Sequence, residues 1–358
     1  MAERQFLLLF TSNHRESIVS NLIVSQLRRV CIFALVMISA SAGVQAQSTT
    51  YHAFLWSSKG GMQDLGTLGG SSYALGINNA GQAVGYYEDF SYNFRAFLWT
   101  SGAGMQDLGT LGGSSAAANG INSKGQVVGW ATTASGDAHA FLWTAAGGME
   151  DLGTLGGIAS IATAINEMGV VTGGSEVTGD TRSVAIVWTP KGGMRGLGNL
   201  GDGRSYAYAI NAAATVVGAS PLNSKLSPNH AFLHRASGTM TDLGTLGGDN
   251  STALGINASQ QVVGWASVSS FTPFHAFLWT QGSGMQDLGT LGGQNSAAQA
   301  INRGGTIVGF SDLSTGATHA VVWTGPNQIQ DLGTLGGGYA TAQGISESGV
   351  VVGYSKLR

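Results

Sequence analysis

Short apolar segments separated by turn residues recur along most of this chain. Between residues 71 and 113 the apolar segments are 73–78, 82–86, 95–99 and 105–111. Turn-forming residues separate them, as in Asn79-Ala80-Gly81,. No window holds a 3.6-residue apolar period long enough for a helix. The pattern predicts four short strands in an antiparallel meander.

One sequence string repeats with this pattern. Residues 61–70 read Gly-Met-Gln-Asp-Leu-Gly-Thr-Leu-Gly-Gly. Close copies stand at 104–113, 148–157 and 284–293. Altered copies stand at 239–248 and 328–337, and the most divergent copy is at 193–202. The period is about 44 residues, which indicates repeats of one supersecondary unit. We therefore interpret residues 47–358 as a single repeat domain.

Four strands in about 44 residues match the size of a β-propeller blade. The first strand of each repeat carries small residues, as the crowded centre of a ring requires. The repeats begin on the third and fourth strands (52–68) and end on the first and second (339–354). Pairing these terminal halves would close the ring and remove exposed sheet edges. We predict an all-β, seven-bladed propeller, with a β-solenoid as the alternative.

The first residues differ from the repeats. An apolar run at 30–43 follows Arg28 and Arg29 and precedes Val44-Gln45-Ala46. This layout is typical of a secretory signal peptide, here 1–46 with a long n-region. A membrane anchor is the alternative, but the run is shorter than the roughly 20 residues needed to span a bilayer. We expect an extracellular or periplasmic protein without stable membrane insertion after cleavage.

Charge and cysteine content exclude two functional classes. Charged residues make up 10% of the chain and the net charge is −3. The absence of a basic run argues against nucleic acid as a partner. The single cysteine, Cys31, lies in the predicted signal peptide, so the mature protein should have no thiol chemistry,.

Two recurring strings resemble a known family. They are His-Ala-Phe-Leu-Trp (52–56, 139–143, 275–279) and Ile-Asn-x-x-Gly-Gln-Val-Val-Gly (121–129). Together with the string at 61–70 they are similar to the HAF-type bacterial extracellular repeat family over residues 52–354. The resemblance implies export and a repeat β-fold, but no activity and no functional residues. The fourth repeat departs from it at Val184 and Gly196, which replace His and Asp.

The repeated aspartates allow two interpretations. They could form a ring of carboxylates for cations, or each could accept backbone N–H groups of the following turn. Six equivalent sites lack the unlike environments that acid–base catalysis needs, which favours the structural interpretation. The aspartates are Asp64, Asp107, Asp151, Asp242, Asp287 and Asp331.

The repeated histidines recur at blade spacing rather than at metal-ligand spacing. We expect each to bridge neighbouring blades by hydrogen bonds, and we predict no metal and no cofactor. The tryptophans that end the third strands are expected in the core between blades. The histidines are His52, His139, His230, His275 and His319.

The loops between second and third strands differ in every repeat and should emerge on one face of the ring. They span 87–94, 131–138, 175–183, 220–229, 266–274 and 311–318. Aromatic residues crowd two of them, which indicates a recognition surface. Covering of the blade ends is the alternative. The candidate binding residues are Tyr87, Phe90, Tyr92, Phe94, Phe271 and Phe274.

An irregular patch in the fourth and fifth repeats comprises Arg204, Tyr206, Tyr208 and His234. Unlike titrating groups at the channel would favour a glycan hydrolase or lyase. An uncharged channel would favour an exported, non-catalytic binding or scaffold protein, which we prefer, with a carbohydrate or a surface protein as its partner. A purely structural envelope protein is the third hypothesis.

Overall fold

The computed structural model describes residues 50–201, 203–222, 228–236 and 238–358. The predicted signal peptide at 1–46 lies outside the described residues. Within the described ranges the chain forms 28 strands and no helix. Accordingly, this part of the chain offers no helix that could cross a membrane.

The strands are short and follow one another through turns and loops. The first ten are β1 (Tyr51–Ser57), β2 (Gly61–Asp64), β3 (Ser72–Ile77), β4 (Ala83–Glu88), β5 (Phe94–Thr100), β6 (Gly104–Asp107), β7 (Gly112–Ile121), β8 (Val127–Thr133), β9 (Ala138–Thr144) and β10 (Gly148–Asp151). The next eight are β11 (Gly156–Ile165), β12 (Val171–Val177), β13 (Asp180–Thr189), β14 (Gly193–Gly196), β15 (Tyr206–Ile210), β16 (Val216–Pro221), β17 (Asn229–His234) and β18 (Met240–Asp242). The last ten are β19 (Ser251–Ile256), β20 (Val262–Ser267), β21 (Phe274–Thr280), β22 (Gly284–Asp287), β23 (Gly292–Ile301), β24 (Ile307–Leu313), β25 (Thr318–Gly325), β26 (Gln328–Gly333), β27 (Gly336–Ile345) and β28 (Val351–Leu357).

Antiparallel pairing joins these strands in groups of four, which we call blades and name by their first strand. The β3, β7, β11, β15 and β19 blades are separate four-stranded sheets. An eight-stranded sheet contains the β23 blade and the β27 blade, the latter in the order β27-β28-β1-β2. A single parallel bridge between Thr318 and Tyr339 links these two blades.

The chain termini meet in the β27 blade. Strand β1 pairs antiparallel with β28, from Tyr51 opposite Lys356 to Trp56 opposite Val351. Consecutive first strands contact one another from β3 through to β27, and β27 contacts β3 again. The ring is therefore closed, the fold is a β-propeller, and the pairing predicted for the terminal halves is confirmed. The β-solenoid alternative is wrong.

A repeated glycine allows the first two strands of a blade to lie close together. In Val127-Val128-Gly129 the second strand passes the backbone of Ala117, and an added Cβ at Gly129 would overlap the carbonyl oxygen of Ala117. The paired first strand carries a bulge between Ala118 and Gly120. The Val-Val-Gly string therefore reflects tight backbone packing near the axis.

The hydrophobic core lies between blades. One cluster joins Val84 and Leu98 of the β3 blade to Ala118 and Phe141 of the β7 blade. The tryptophans that end the third strands belong to such clusters, and Trp323 is fully buried. The predicted core role of these tryptophans is thus confirmed.

Asparagine side chains tie each blade to the next on the face opposite the variable loops. Each Nδ2 donates to a backbone carbonyl at the equivalent position of the following blade, over 3.0–3.3 Å. The donors are Asn78, Asn122, Asn166, Asn211, Asn257 and Asn302. Ser346 occupies the equivalent position in the β27 blade, where the Glu347 amide instead donates to Asn79 Oδ1 over 2.9 Å.

Candidate functional site

Histidine–aspartate pairs stand at the outer rim of the ring. In each pair the histidine Nδ1 lies 2.7–2.9 Å from a carboxylate oxygen. The aspartate also accepts the amide of the glycine two residues later, as Asp64 does from Gly66 over 2.7 Å. We call these the rim pairs: His52–Asp64, His139–Asp151, His230–Asp242, His275–Asp287 and His319–Asp331.

The structure confirms one prediction about these residues and corrects another. The aspartates do accept backbone N–H groups of the following turn. However, the histidines do not bridge neighbouring blades, because each bonds to an aspartate of its own blade. Antiparallel pairing of the third and fourth strands, with Phe54 opposite Asp64, brings His52 and Asp64 together.

Two blades depart from the rim pair. In the β3 blade, Arg95 Nε lies 2.9 Å from Asp107, which also accepts the Tyr87 hydroxyl over 2.8 Å. Burial and the adjacent carboxylate raise the pKa of Tyr87 to about 12. Burial alone would raise the pKa of Asp107, but hydrogen bonds from Arg95, the Gly109 amide and Tyr87 lower it overall,. In the β11 blade both members are replaced, by Val184 and Gly196.

The arrangement of the rim argues for a structural role. Each pair lies on a separate blade, and the described residues contain no group of three His, Cys, Asp or Glu side chains that could hold a metal ion. Each histidine is held through Nδ1 by a carboxylate that also closes the adjacent turn. The pairs therefore join the outer two strands of the five blades that carry them.

The loops between second and third strands emerge on one face, which we call the loop face. Two aromatic side chains project from the loop after β4, where Phe90 is 89% and Tyr92 is 87% exposed. Asp89 Oδ1 braces this loop by accepting the amides of Ser91 and Asn93 over 2.8 and 2.9 Å. Tyr92 adopts a left-handed φ of 61°. Its ring is thus displayed on a turn with internal hydrogen bonds.

Phe271 is the third exposed aromatic residue of the loop face and lies in the loop after β20, with 60% of its surface exposed. Its carbonyl oxygen accepts the hydroxyl of Ser267 over 3.2 Å. The exposed aromatics therefore come from the β3 and β19 blades.

The other three predicted loop aromatics are buried or half-buried, which corrects the expectation of six exposed rings. Tyr87 is buried against Asp107. Phe94 lies 5.2 Å from Tyr86 and 6.4 Å from Trp130, measured between ring centroids. Phe274 is buried and packs edge-on against Trp265. Phe94 and Phe274 are the first residues of β5 and β21, and Tyr87 is the last residue but one of β4, so all three lie at blade ends.

The irregular patch is not one site. Arg204 is exposed, and Tyr206 and Tyr208 are half-buried on the innermost strand of the β15 blade. Burial raises the pKa of Tyr208. His234 ends the third strand opposite Val216, so it lies at the other end of the blade from Tyr206. Burial and the nearby Arg195 guanidinium lower the pKa of His234.

Five tyrosines meet where the ring closes, and we call them the closure cluster. Tyr73 is central, with ring centroids 4.7 Å from Tyr86, 4.9 Å from Tyr354 and 5.9 Å from Tyr51. Tyr339 lies 5.9 Å from Tyr51 and 6.1 Å from Tyr354. All five are half-buried, and burial raises the pKa of Tyr51.

The sequence interpretation did not identify this cluster. Tyr51, Tyr339 and Tyr354 come from opposite ends of the repeat region and meet only through pairing of β1 with β28. A signal was present: seven of the nine tyrosines fall in the β27 and β3 blades, counting Tyr92 in the loop between β4 and β5. In an otherwise uniform repeat, such a bias indicates a local specialisation.

The innermost strands contain no strongly ionisable side chain. From β3 through β27 these strands carry no Asp, Glu, His, Lys, Arg or Cys. Their only titratable groups are the phenols of Tyr73, Tyr206, Tyr208 and Tyr339. General acid–base chemistry usually uses carboxylates or imidazoles, which these strands do not supply.

Solved structures with a similar fold exist at low sequence identity. A structure from Agrobacterium tumefaciens that is assigned as TolB matches with a TM-score of 0.50 and 12% identity, over 87% of this chain and 100% of that chain. TolB from Acinetobacter baumannii matches with a TM-score of 0.49 and 10% identity, over 76% of this chain and 63% of that chain. The β-propeller domain of the Trilobed protease from Pyrococcus furiosus matches with a TM-score of 0.46 and 8% identity, over 76% and 84% of the two chains.

At these identities the similarity concerns the fold alone. No protein-family model and no curated protein sequence matches the chain.

Proposed function

We propose that this chain is an exported, non-catalytic binding protein that recognises carbohydrate through its loop face. The observation that carries the proposal is the loop after β4, where Phe90 and Tyr92 are almost fully exposed. Exposing large aromatic rings to water is unfavourable in free energy, and these two rings add nothing to the hydrophobic core. Such rings provide flat apolar surfaces of the kind that binding sites use.

The number of blades is part of the proposal. We infer seven, because the first strands from β3 to β27 make seven consecutive inner contacts that return to the start. The β27 blade would complete the ring with two strands from each end of the repeat region. We also propose membership of the HAF-type repeat family, on the strings at 52–56 and 121–129.

One further observation supports binding rather than catalysis, and another supports export of the protein from the cytoplasm. The innermost strands lack the carboxylates and imidazoles that a hydrolase or lyase in the channel would use,. The residues before the propeller have the layout of a signal peptide, so we propose a periplasmic or extracellular location. A surface protein is the other partner class that exposed aromatic loops would suit.

A glycan array probed with the purified protein tests the proposal. The informative variant is Phe90→Ser/Tyr92→Ser, which removes both exposed rings and leaves Asp89 in place. Met168→Ser is the matched control, because Met168 is exposed to 59% on the opposite face. We expect the wild type and the control to bind the same glycans and the double variant to lose them. No binding by the wild type, or equal binding by the double variant, would contradict the proposal.

A further inference from the structure

We propose that the closure cluster is an oligosaccharide-binding subsite that exists only in the closed ring, so that ligand binding and ring closure stabilise each other. The inference shares the ligand class of the proposed function but depends on different residues. It rests on the position, geometry and chemistry of the five tyrosines.

The repeats show that the fold does not require two of these rings, Tyr73 and Tyr339. Tyr86 and Tyr354 occupy a position that is aromatic in most blades, as in Trp130 and Trp265. At the position of Tyr73, five residues before the repeated asparagine or its serine replacement, other blades carry Ala117, Ile161, Tyr206, Thr252, Ala297 and Thr341. At the position of Tyr339, two residues earlier, they carry Ser71, Ser115, Ala159, Arg204, Asn250 and Asn295. Small residues therefore suffice at most of these positions. The extra tyrosines at the closing seam call for another explanation.

The cluster lies at the loop-face end of the seam. Tyr51 opens β1, and its neighbour Thr50 accepts the Leu357 amide over 3.0 Å. This is the end of the blade at which the other blades carry their variable loops. Because the rings are half-buried, each is held by its neighbours and still reaches solvent. Three of the contacts are stacked, including Tyr73 on Tyr86 with an interplanar angle of 22°.

The chemistry of the cluster suits a neutral saccharide. Phenol rings offer apolar faces for the C–H faces of sugars. Glu88 extends this surface, since it stands two residues after Tyr86 on the same face of β4 and opposite Phe94,. Burial raises the pKa of Glu88. Lys356 likewise stands two residues after Tyr354 on the same face of β28 and opposite Tyr51,. One carboxylate and one ammonium group leave the surface without net charge, which suits a neutral ligand better than an anionic one.

The cluster links the two ends of the repeat region. Tyr51 belongs to the first strand, Tyr339 and Tyr354 belong to the last two, and Tyr73 belongs to the neighbouring blade. A ligand that contacts these rings binds the closed ring and not the opened one. Such a ligand must raise the stability of the closed state, because it binds the folded form preferentially.

Calorimetric titration and thermal unfolding with cellohexaose, chitohexaose and maltohexaose test the inference. The variant Tyr73→Thr/Tyr339→Ser introduces residues that other blades tolerate at these positions, so the fold should be retained. Tyr206→Thr is the matched control, since it makes the Tyr73 change in a blade outside the cluster. We expect one oligosaccharide to raise the melting temperature of the wild type and of the control. The cluster variant should bind about tenfold or more weakly and lose the shift.

Two results would overturn the inference. One is that none of the three oligosaccharides raises the melting temperature of the wild type. The other is that the cluster variant binds as tightly as the wild type. Failure of the proposed function is distinguishable, because Phe90→Ser/Tyr92→Ser can be measured in the same titrations. Loss of binding in that loop variant alone would assign the ligand to the loops and exclude the cluster.

Discussion

The outer rim and the closure cluster differ in whether their side-chain arrangement recurs from blade to blade. The rim repeats one arrangement, a histidine or arginine bonded to an aspartate of the same blade, with nearly constant distances. The closure cluster occurs once, and two of its five tyrosines, Tyr73 and Tyr339, stand where most other blades have small residues. A feature repeated around a ring serves the blades themselves. A feature present at one seam is free to serve recognition.

The β11 blade shows how little the rim contributes to the choice of fold. It lacks both rim residues, yet Ile186 stands opposite Gly196 in the register that Phe54 and Asp64 adopt elsewhere. Strand pairing and the inter-blade core therefore determine the sheet, and the rim pair adds to its stability.

Deletion of residues 339–358 should have the largest effect on this comparison, because it removes the seam itself. Strand β1 would lose its partner β28 and become an unpaired edge,. The apolar faces of the neighbouring β23 and β3 blades would also be exposed. We expect the cooperative unfolding transition to disappear, since domain stability is only about 5–15 kcal/mol. Differential scanning calorimetry of the full-length and truncated proteins measures this transition. A truncated protein that melts cooperatively at the full-length temperature would refute ring closure as a source of stability.

Phe54→Ala should be the most damaging single substitution tested at the seam. Phe54 is fully buried in the cluster that joins the β23 and β27 blades. Large-to-small changes of buried phenylalanine cost about 3–5 kcal/mol. Phe90→Ala removes an exposed ring and should change the free energy of unfolding by less than about 0.5 kcal/mol. Urea denaturation gives the free energy of unfolding of both variants. Similar decreases in the two would show that the burial of the ring does not determine its contribution to stability.

Restoring the missing rim pair sharpens the comparison further. A Cβ at Gly196 would make ordinary contacts of 3.6 Å with Leu155 and Val184, so the backbone there accepts a side chain. In a double-mutant cycle, Val184→His and Gly196→Asp should couple favourably by about 0.2–1 kcal/mol. Urea denaturation of the two single variants and the double variant gives the coupling. A value of zero or an unfavourable one would mean that the rim pairs do not stabilise blades.

Arg95→Ala should give the smallest effect, and one that depends on pH. The Arg95–Asp107 pair is partly exposed, so its loss should cost about 0.5–1 kcal/mol at pH 7,. The pKa of Asp107 lies below its ordinary value of 3.8 in the folded protein. The stabilisation is therefore present above that value and is lost as the pH falls through the lower, folded-state pKa.

Urea denaturation at neutral pH and at pH values below the ordinary aspartate pKa checks this expectation. Lys124→Ala, at an exposed turn position, is the control and should show no such trend. A difference between Arg95→Ala and the wild type that stays constant as the pH falls would contradict the assignment.

The features that could be predicted from sequence are those carried by the repeat. Alternating turns and apolar segments gave the strands, and unmatched halves at 52–68 and 339–354 gave the closure. The aspartate turns also followed, because an Asp two residues before a Gly accepts the amide of that glycine,. Each inference uses residues that lie close in sequence or a period that relates them.

The errors and omissions concern contacts that periodicity does not specify. The partner of His139 is Asp151 of the same blade and not a neighbouring blade, because strand register decides it. Asn122 donates to a backbone carbonyl of the next blade, and every residue type has that group, so the sequence of the next blade does not reveal the contact. Tyr51 and Tyr354 meet only after closure, so neither local pattern nor period marks them as neighbours.

Hydrogen–deuterium exchange of the full protein, with and without each oligosaccharide of the panel, is the most direct test of recognition at the loop face. We expect one of them to slow exchange in residues 87–94 and at the strands that carry Tyr51 and Tyr339. Exchange should not change at the turn Asn166–Val170 on the opposite face. Slower exchange at that turn alone, or no change with any oligosaccharide of the panel, would contradict carbohydrate binding by this face.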